Sequence, residues 1–221
     1  MKNEECEMKK ARFSDKAASR VGLPVLRSLP YLIPHFALLI LFSPSLSSPP
    51  PSPPLPDNSL YHLETVWTRD DDKTMKLADL RGKARVLTMF FSRCDNICPM
   101  LTGQLKLLER EMPASLRAKT GFVLVTLDPD DDDAETLAEY RERMGYSSEN
   151  WVLLRGRDDD TRELANLLGV TYMPKKDDGQ IDHNGLIVIL DREGRIIEKT
   201  AGIRDRKAFL AALRKAAGDK K

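Results

Sequence analysis

Two cysteines stand four positions apart in the stretch Phe90–Pro99, FFSRCDNICP, between a β-like apolar run and a proline. Sulfurs at that spacing can close a disulfide, work as a dithiol redox couple, hold a soft metal, or pack as two small apolar side chains. Thioredoxin-type redox centres use CxxC, and structural zinc sites need four ligands and usually show two cysteine pairs, so this single CxxxC leaves a zinc site short of ligands. Two thiolates suit Cu(I), and an added imidazole makes the site acceptable to Cu(II) as well. The chain has three histidines. His35 lies near the N-terminus, and His62 falls in what reads as the first strand of the domain, where it can face solvent. His183 lies in the polar loop KKDDGQIDHNG, just before the apolar strand GLIVIL. A loop can carry that histidine to the top of a sheet, but the residues alone leave it open between a solvated loop and a ligand.

The elements that must position these groups alternate between strand and helix periodicity. Arg85 to Phe91 (RVLTMFF) reads as a buried strand. Pro99 suits a first helical position, and Leu101, Leu105, Leu108 and Met112 then recur on one helix face. Cys98, ahead of a proline, is biased away from helical geometry and is placed as the helix N-cap. There the free N–H groups and the helix dipole would lower a thiol pKa toward thiolate. Cys94 then belongs to the loop. Cβ atoms at i and i+4 of a regular helix lie ~5–6 Å apart against ~3.5–4.5 Å in a relaxed disulfide, so a loop-borne Cys94 would have to close that gap.

Tyr61 to Thr68 and Thr74 to Leu77, split by Asp70-Asp-Asp-Lys73, suggest a hairpin. Phe122 to Leu127 and Trp151 to Leu154 read as strands, Ala134 to Met144 and Thr161 to Leu168 as helices, the latter closed by Gly169. Leu186 to Leu190 and Arg195 to Thr200 flank the hairpin signal DREG, and Asp205 to Ala217 forms a last amphipathic helix. The fold class is α/β: a mixed central sheet flanked by helices on both faces, with an N-terminal β-hairpin. Asp132 and Asp133, and Asp158 to Asp160, read as helix caps complementing the dipole, and Asp128, at a strand end, as a residue standing behind the cysteine site. Met89, Met100, Phe90 and Phe91 read as packing, the two rings giving the site a dry wall.

Composition sets the wider frame. In 221 residues, 41% hydrophobic content supports one ordinary domain plus a leader, and 35 Lys+Arg against 34 Asp+Glu without a basic stripe argues against nucleic acid as a partner. Three cysteines are too few for a disulfide-rich scaffold, and Cys6 lies in the leader. Residues 1–28 carry seven Lys/Arg against four Asp/Glu, and the apolar run Leu29–Phe42 that follows is interrupted by Pro30, Pro34 and His35. That run falls short of the roughly 20 residues a spanning helix needs, which favours a signal peptide, with an uncleaved N-terminal anchor as the alternative. SPSLSSPPPSPPLP, with seven prolines between Pro44 and Pro56, reads as a stiff polyproline II tether. The expected organisation is a leader over 1–43, a linker over 44–57 and a domain over 58–217.

The segments SLYHLETVW, LADLRGKARVLTMFFSRCDNICP, VLVTLDPDDDD, WVLLRG, LANLLGVTY and DHNGLIVILDREGRI, in this order, resemble the Sco/SenC family of copper-handling proteins of cytochrome oxidase assembly. The resemblance covers residues 58–215 and rests above all on CxxxCP after an apolar strand together with a distant histidine before a hairpin. It implies a thioredoxin-like fold and one copper, Cu(I) or Cu(II), held by Cys94, Cys98 and His183. It also implies a location outside the cytoplasmic membrane, periplasmic or anchored by the N-terminus, and delivery to the binuclear copper site of cytochrome c oxidase subunit II, with another copper chaperone as a donor. The alternative is a thiol-disulfide reductase in which Cys94 and Cys98 are the catalytic pair; a peroxiredoxin-like peroxidase ranks last. Two departures from the family pattern stand out. Family members often have proline where this chain has Asp95, and often show DP-x-R-D-T-P where it reads Asp128-Pro-Asp-Asp-Asp-Asp-Ala134.

Overall fold

The computed structural model describes residues 53–219 apart from positions 96, 147 and 148. The leader, most of the proline-rich tether, Cys6 and His35 lie outside the described residues. The chain enters through a short 3-10 turn, Leu60–His62, and forms a hairpin of β1 (Val66–Arg69) and β2 (Thr74–Lys76). It continues through β3 (Ala84–Phe90), α1 (Ile97–Glu111), α2 (Ala114–Ala118), β4 (Thr120–Thr126), α3 (Ala134–Met144) and β5 (Trp151–Arg155). It ends with α4 (Asp158–Leu168), the hairpin of β6 (Ile187–Leu190) and β7 (Ile196–Thr200), and α5 (Arg206–Ala217).

The strands make one seven-stranded mixed sheet in the order β2-β1-β5-β4-β3-β6-β7. The central strands β3, β4 and β5 are parallel, and antiparallel neighbours flank them. Every residue of β4 and β6 is buried, and in β3 only Arg85 reaches partial exposure. Burial of successive residues, which point to opposite faces, requires cover on both sides of the sheet, and the continuous apolar runs of these strands supply it with partners. Leu101, Leu105 and Leu108 of α1 and Phe209 and Leu213 of α5 are buried in the same core. A stacked series of rings, Phe122–Trp151 at 4.4 Å and Trp151–Tyr146 at 4.2 Å, fills its β5 side. The architecture is the mixed α/β sheet that the strand and helix periodicities anticipate, in the thioredoxin-like arrangement that the family resemblance implies.

Register decides where the functional residues go. Phe90 pairs with Thr126, and the Leu127 N–H donates to the Phe90 carbonyl at 2.7 Å, so the loops that follow β3 and β4 emerge side by side. β6 runs antiparallel to β3, with Ile187 opposite Thr88, so the segment before β6 reaches the same sheet edge. At the opposite edge, Gly82 donates its N–H to Arg192 in the β6–β7 turn, Ser59 bridges to Arg195, and the Leu60 N–H bonds the Gly194 carbonyl at 3.0 Å.

Several local expectations are corrected. His62 sits in the 3-10 turn rather than a strand; its Nε2 lies 2.9 Å from the Pro56 carbonyl. Helix α1 begins at Ile97, which makes Cys98 a helical residue and not its N-cap. A proline within the first turn removes an N–H that has no partner there, so the helix runs through it. Met100 is 58% exposed, one position off the buried Leu101 stripe, and packs little. Asp133 alone caps α3, accepting the Thr136 N–H at 2.8 Å. Asp158 to Asp160 form the first turn of α4, whose N-cap is Arg157. The short helix α2 has no counterpart among the sequence-based expectations.

Candidate metal centre

The loop after β3 turns tightly, with the Cys94 N–H on the Phe91 carbonyl at 3.2 Å, and returns the chain into α1. That turn puts Cys94 Sγ 3.4 Å from the Cys98 N–H, which donates to it. Neither cysteine is in a disulfide and both are buried, at 7% exposure for Cys94 and 1% for Cys98. The hydrogen bond to Cys94 holds the Cys98 thiol far above its ordinary pKa; burial and the like charge of a second thiolate add to this. The helix-start position therefore does not deliver a resting thiolate at Cys98, because two neighbouring buried sulfurs resist carrying charge together. A cation between them would reverse that balance.

His183 is brought in by a short antiparallel ladder built after α4. His183 bridges Tyr172, the Met173 N–H bonds the Asp182 carbonyl at 2.9 Å, and the Asn184 N–H bonds the Thr171 carbonyl at 3.1 Å. The imidazole ends half-buried, edge-on to Phe91 at 6.3 Å between centroids, with Nε2 3.5 Å from Cys98 Sγ. One ligand atom each from Cys94, Cys98 and His183 lie within 4.8 Å of one another. Gly185, at φ +56°, makes this approach: a Cβ there would come within 2.9 Å of Ile97 Cδ1.

Cys94 and His183 line a cleft of about 610 Å³ together with Phe91, Asp95 and Asp182, and Cys98 is buried beside them. A larger groove of about 850 Å³ lies elsewhere, beside Arg69, Arg141 and Trp151, and its lining holds neither cysteine nor histidine. We assign the chemistry to the smaller cleft, because among the described residues only there do soft sulfur and imidazole donors converge. Such a set can take a soft, low-coordinate metal, or, from the two thiols alone, exchange with a disulfide.

Asp128, the fourth residue singled out in the sequence, is buried but is not among the converging atoms. Its carboxylate accepts from Arg93 Nη2 at 2.9 Å and from Lys175 Nζ at 2.8 Å, bracing the cysteine and histidine loops from behind. Asp132, read as a cap, is instead fully buried. It accepts the Ser92 N–H at 3.0 Å and the hydroxyls of Ser92 and Thr126, tying the cysteine turn to the end of β4. Arg93, Asp131, Asp132 and Lys175 are the supporting residues that the sequence reading missed. The one available signal was Asp131, which stands where the family pattern has arginine.

The family model described as SCO1/SenC matches residues 62–218. A SCO1 protein homolog of Bacillus subtilis is 23% identical over 146 residues, covering 65% of this chain and 75% of that protein. A SCO1/SenC family lipoprotein from Bacillus anthracis superposes with a TM-score of 0.62 at 25% identity, over 70% of this chain and 94% of the other. ScoI of Bradyrhizobium japonicum, whose structure was solved with copper bound, gives a TM-score of 0.59 at 20% identity over 69% of this chain and 96% of the other, a likeness of fold. With the family model matched across nearly all of the described domain, the chain belongs to the SCO1/SenC family.

Proposed function

We propose that the chain captures one copper ion through Cys94, Cys98 and His183 and hands it on during cytochrome c oxidase assembly. The observation that carries this reading is the convergence of two thiols and one imidazole from loops far apart in sequence, with Cys98 Sγ and His183 Nε2 3.5 Å apart. Membership of the SCO1/SenC family supports it, as do relatives of this fold solved with copper bound. Two thiolates satisfy Cu(I), and the imidazole adds the donor that Cu(II) favours, so the site suits an ion that arrives or leaves in either state. Cys94 and His183 line the cleft while Cys98 is buried beside them, so an acceptor's donor atoms reach the ion from the cleft side. Transfer then proceeds by stepwise ligand exchange, the incoming ligand bonding the metal as one of the three departs.

The acceptor in this proposal is the binuclear copper site of cytochrome c oxidase subunit II, and another copper chaperone loads the protein. Work outside the cytoplasmic membrane, exported or held by the N-terminal segment, fits the basic-then-apolar order of the leader. Oxidation of the pair to a disulfide would remove two of the three ligands, so the thiol state gates loading.

Copper stoichiometry and the absorption spectrum of the reduced protein test the reading. The native chain takes up one copper and shows a thiolate-to-Cu(II) charge-transfer band, which His183→Ala weakens or removes. A band unchanged in His183→Ala rejects the histidine as a ligand. A native chain that takes up no copper but exchanges with disulfides at an unchanged rate in His183→Ala identifies a thiol-disulfide reductase instead.

A further inference from the structure

The cysteine loop and the histidine loop are joined by a closed set of four charges. Arg93 directly precedes Cys94, and Lys175 lies in the loop that leads to His183. Between them stand two carboxylates from the loop after β4. Asp128 accepts from Arg93 at 2.9 Å and from Lys175 at 2.8 Å; Asp131 accepts from Lys175 at 2.7 Å and also from Arg93. Gln180 Nε2 adds a bond to the Arg93 carbonyl at 3.2 Å. The two acids differ in setting: the Asp128 side chain is 5% exposed and Asp131 43%. Two cations thus share two anions across three loops, one anion deep and one at the surface. An isolated exposed ion pair contributes little, but a network that spans separate loops and is partly buried fixes geometry that neither loop fixes alone.

Asp131 falls where family members often carry arginine. An arginine there would leave three cations around one carboxylate, so the closed set is a property of this chain's own residues. We propose that Asp131, with Arg93 and Lys175, forms the breakable half of a latch that sets how closely His183 is held over the two sulfurs. Opening it loosens the imidazole while the Asp128 contacts keep the loops in register. This builds on the copper reading, since the latch then controls how readily the ion leaves; its grip on the histidine loop is independent of any metal. Salt screens the exposed half more than the buried half, so the device responds to ionic strength. It would respond equally to an acceptor that presents its own charged groups to Arg93 or Lys175.

The test uses the full reduced chain, native and as Asp131→Asn, Asp131→Arg and Asp131→Glu, at low and high salt. The first readout is hydrogen exchange at the amides of Met173 and Asn184 without metal, since these hold the His183 ladder. The second is the rate at which a bicinchoninate chelator withdraws Cu(I). High salt is expected to speed both in the native chain by about 3- to 10-fold. Asp131→Asn should show the high-salt rates already at low salt and lose the salt dependence, Asp131→Arg should exceed it, and Asp131→Glu should restore native behaviour. A merely structural role would lower the unfolding midpoint and leave the salt slopes as they were. Native exchange rates in Asp131→Asn at both salts overturn the latch even if copper binds. Accelerated exchange in a chain that takes up no copper upholds the latch and rejects the copper reading.

Discussion

His183 Nδ1 accepts the backbone N–H of Gly185 at 3.2 Å. A backbone nitrogen can only donate, so Nδ1 is unprotonated and the neutral ring carries its proton on Nε2, facing Cys98 Sγ. A metal bonded at Nε2 displaces that proton; for the ring to stay neutral the proton must return on Nδ1, where it meets the Gly185 N–H. Loading through Nε2 is therefore expected to break the Gly185 contact. In a nitrogen-15 NMR titration the Gly185 amide should be among the most shifted resonances and should lose exchange protection; an unmoved Gly185 amide would reject the ring as a ligand, because bonding at Nδ1 would also take the lone pair that accepts that N–H.

Replacing Gly185 by alanine probes the same corner from the backbone side. The residue sits at φ +56°, and the new methyl would meet Ile97 Cδ1 at 2.9 Å. A left-handed alanine costs about 1–2 kcal/mol before any crowding is added. Gly185→Ala should lower unfolding stability by at least that amount and displace the imidazole from Cys98, seen as a weaker charge-transfer band at equal copper.

Asp132 offers a sharper stability test. Its carboxylate is fully buried and accepts two hydroxyls and one backbone N–H. Asp132→Ala leaves these donors without an acceptor, at a cost of about 2–4 kcal/mol. Urea unfolding should show this loss, and thiol alkylation should quicken because the Ser92 turn carries Cys94.

Acid should weaken the helix starts in a defined order of sign. The backbone N–H of Thr136 holds the Asp133 carboxyl below its usual range, and hydrogen bonding from Arg157 does the same for Asp160. A carboxyl with a lowered folded pKa contributes fully above its unfolded value of about 3.9, and the contribution is lost as pH falls through the folded value. The urea midpoint should hold steady at mildly acidic pH and drop below about pH 4. Asp133→Asn, still a good cap, should keep neutral-pH stability and flatten part of that drop.

The parts of the fold that were legible in the sequence are those fixed by local patterning. The run Arg85–Phe91 declares a buried strand, which forms as Ala84–Phe90, the leucines of α1 declare a buried face, and DREG declares the β6–β7 turn. The 3-10 turn at Leu60–His62 resembled a strand because two or three alternating residues cannot separate the periods. Met100 was misread because one step along a helix turns a side chain by about 100°, from the core face to solvent. The cysteines announced themselves by type and spacing. His183 needed the ladder with Tyr172 to reach them, a pairing across a loop that no local pattern encodes. Asp132 looked like a cap because an acid before a helix usually is one, and only the return of Ser92 and Thr126 makes it an internal anchor.

The bridge between Ser59 and Arg195 fixes the point of entry into the domain. That point lies beside the start of β3, whereas the sulfurs follow its end, and seven residues of extended chain separate the two by roughly 20 Å. Ser59 thus lies at the pole opposite the candidate metal cleft. An acceptor that docks over the cleft therefore meets the domain a full strand's length away from Ser59.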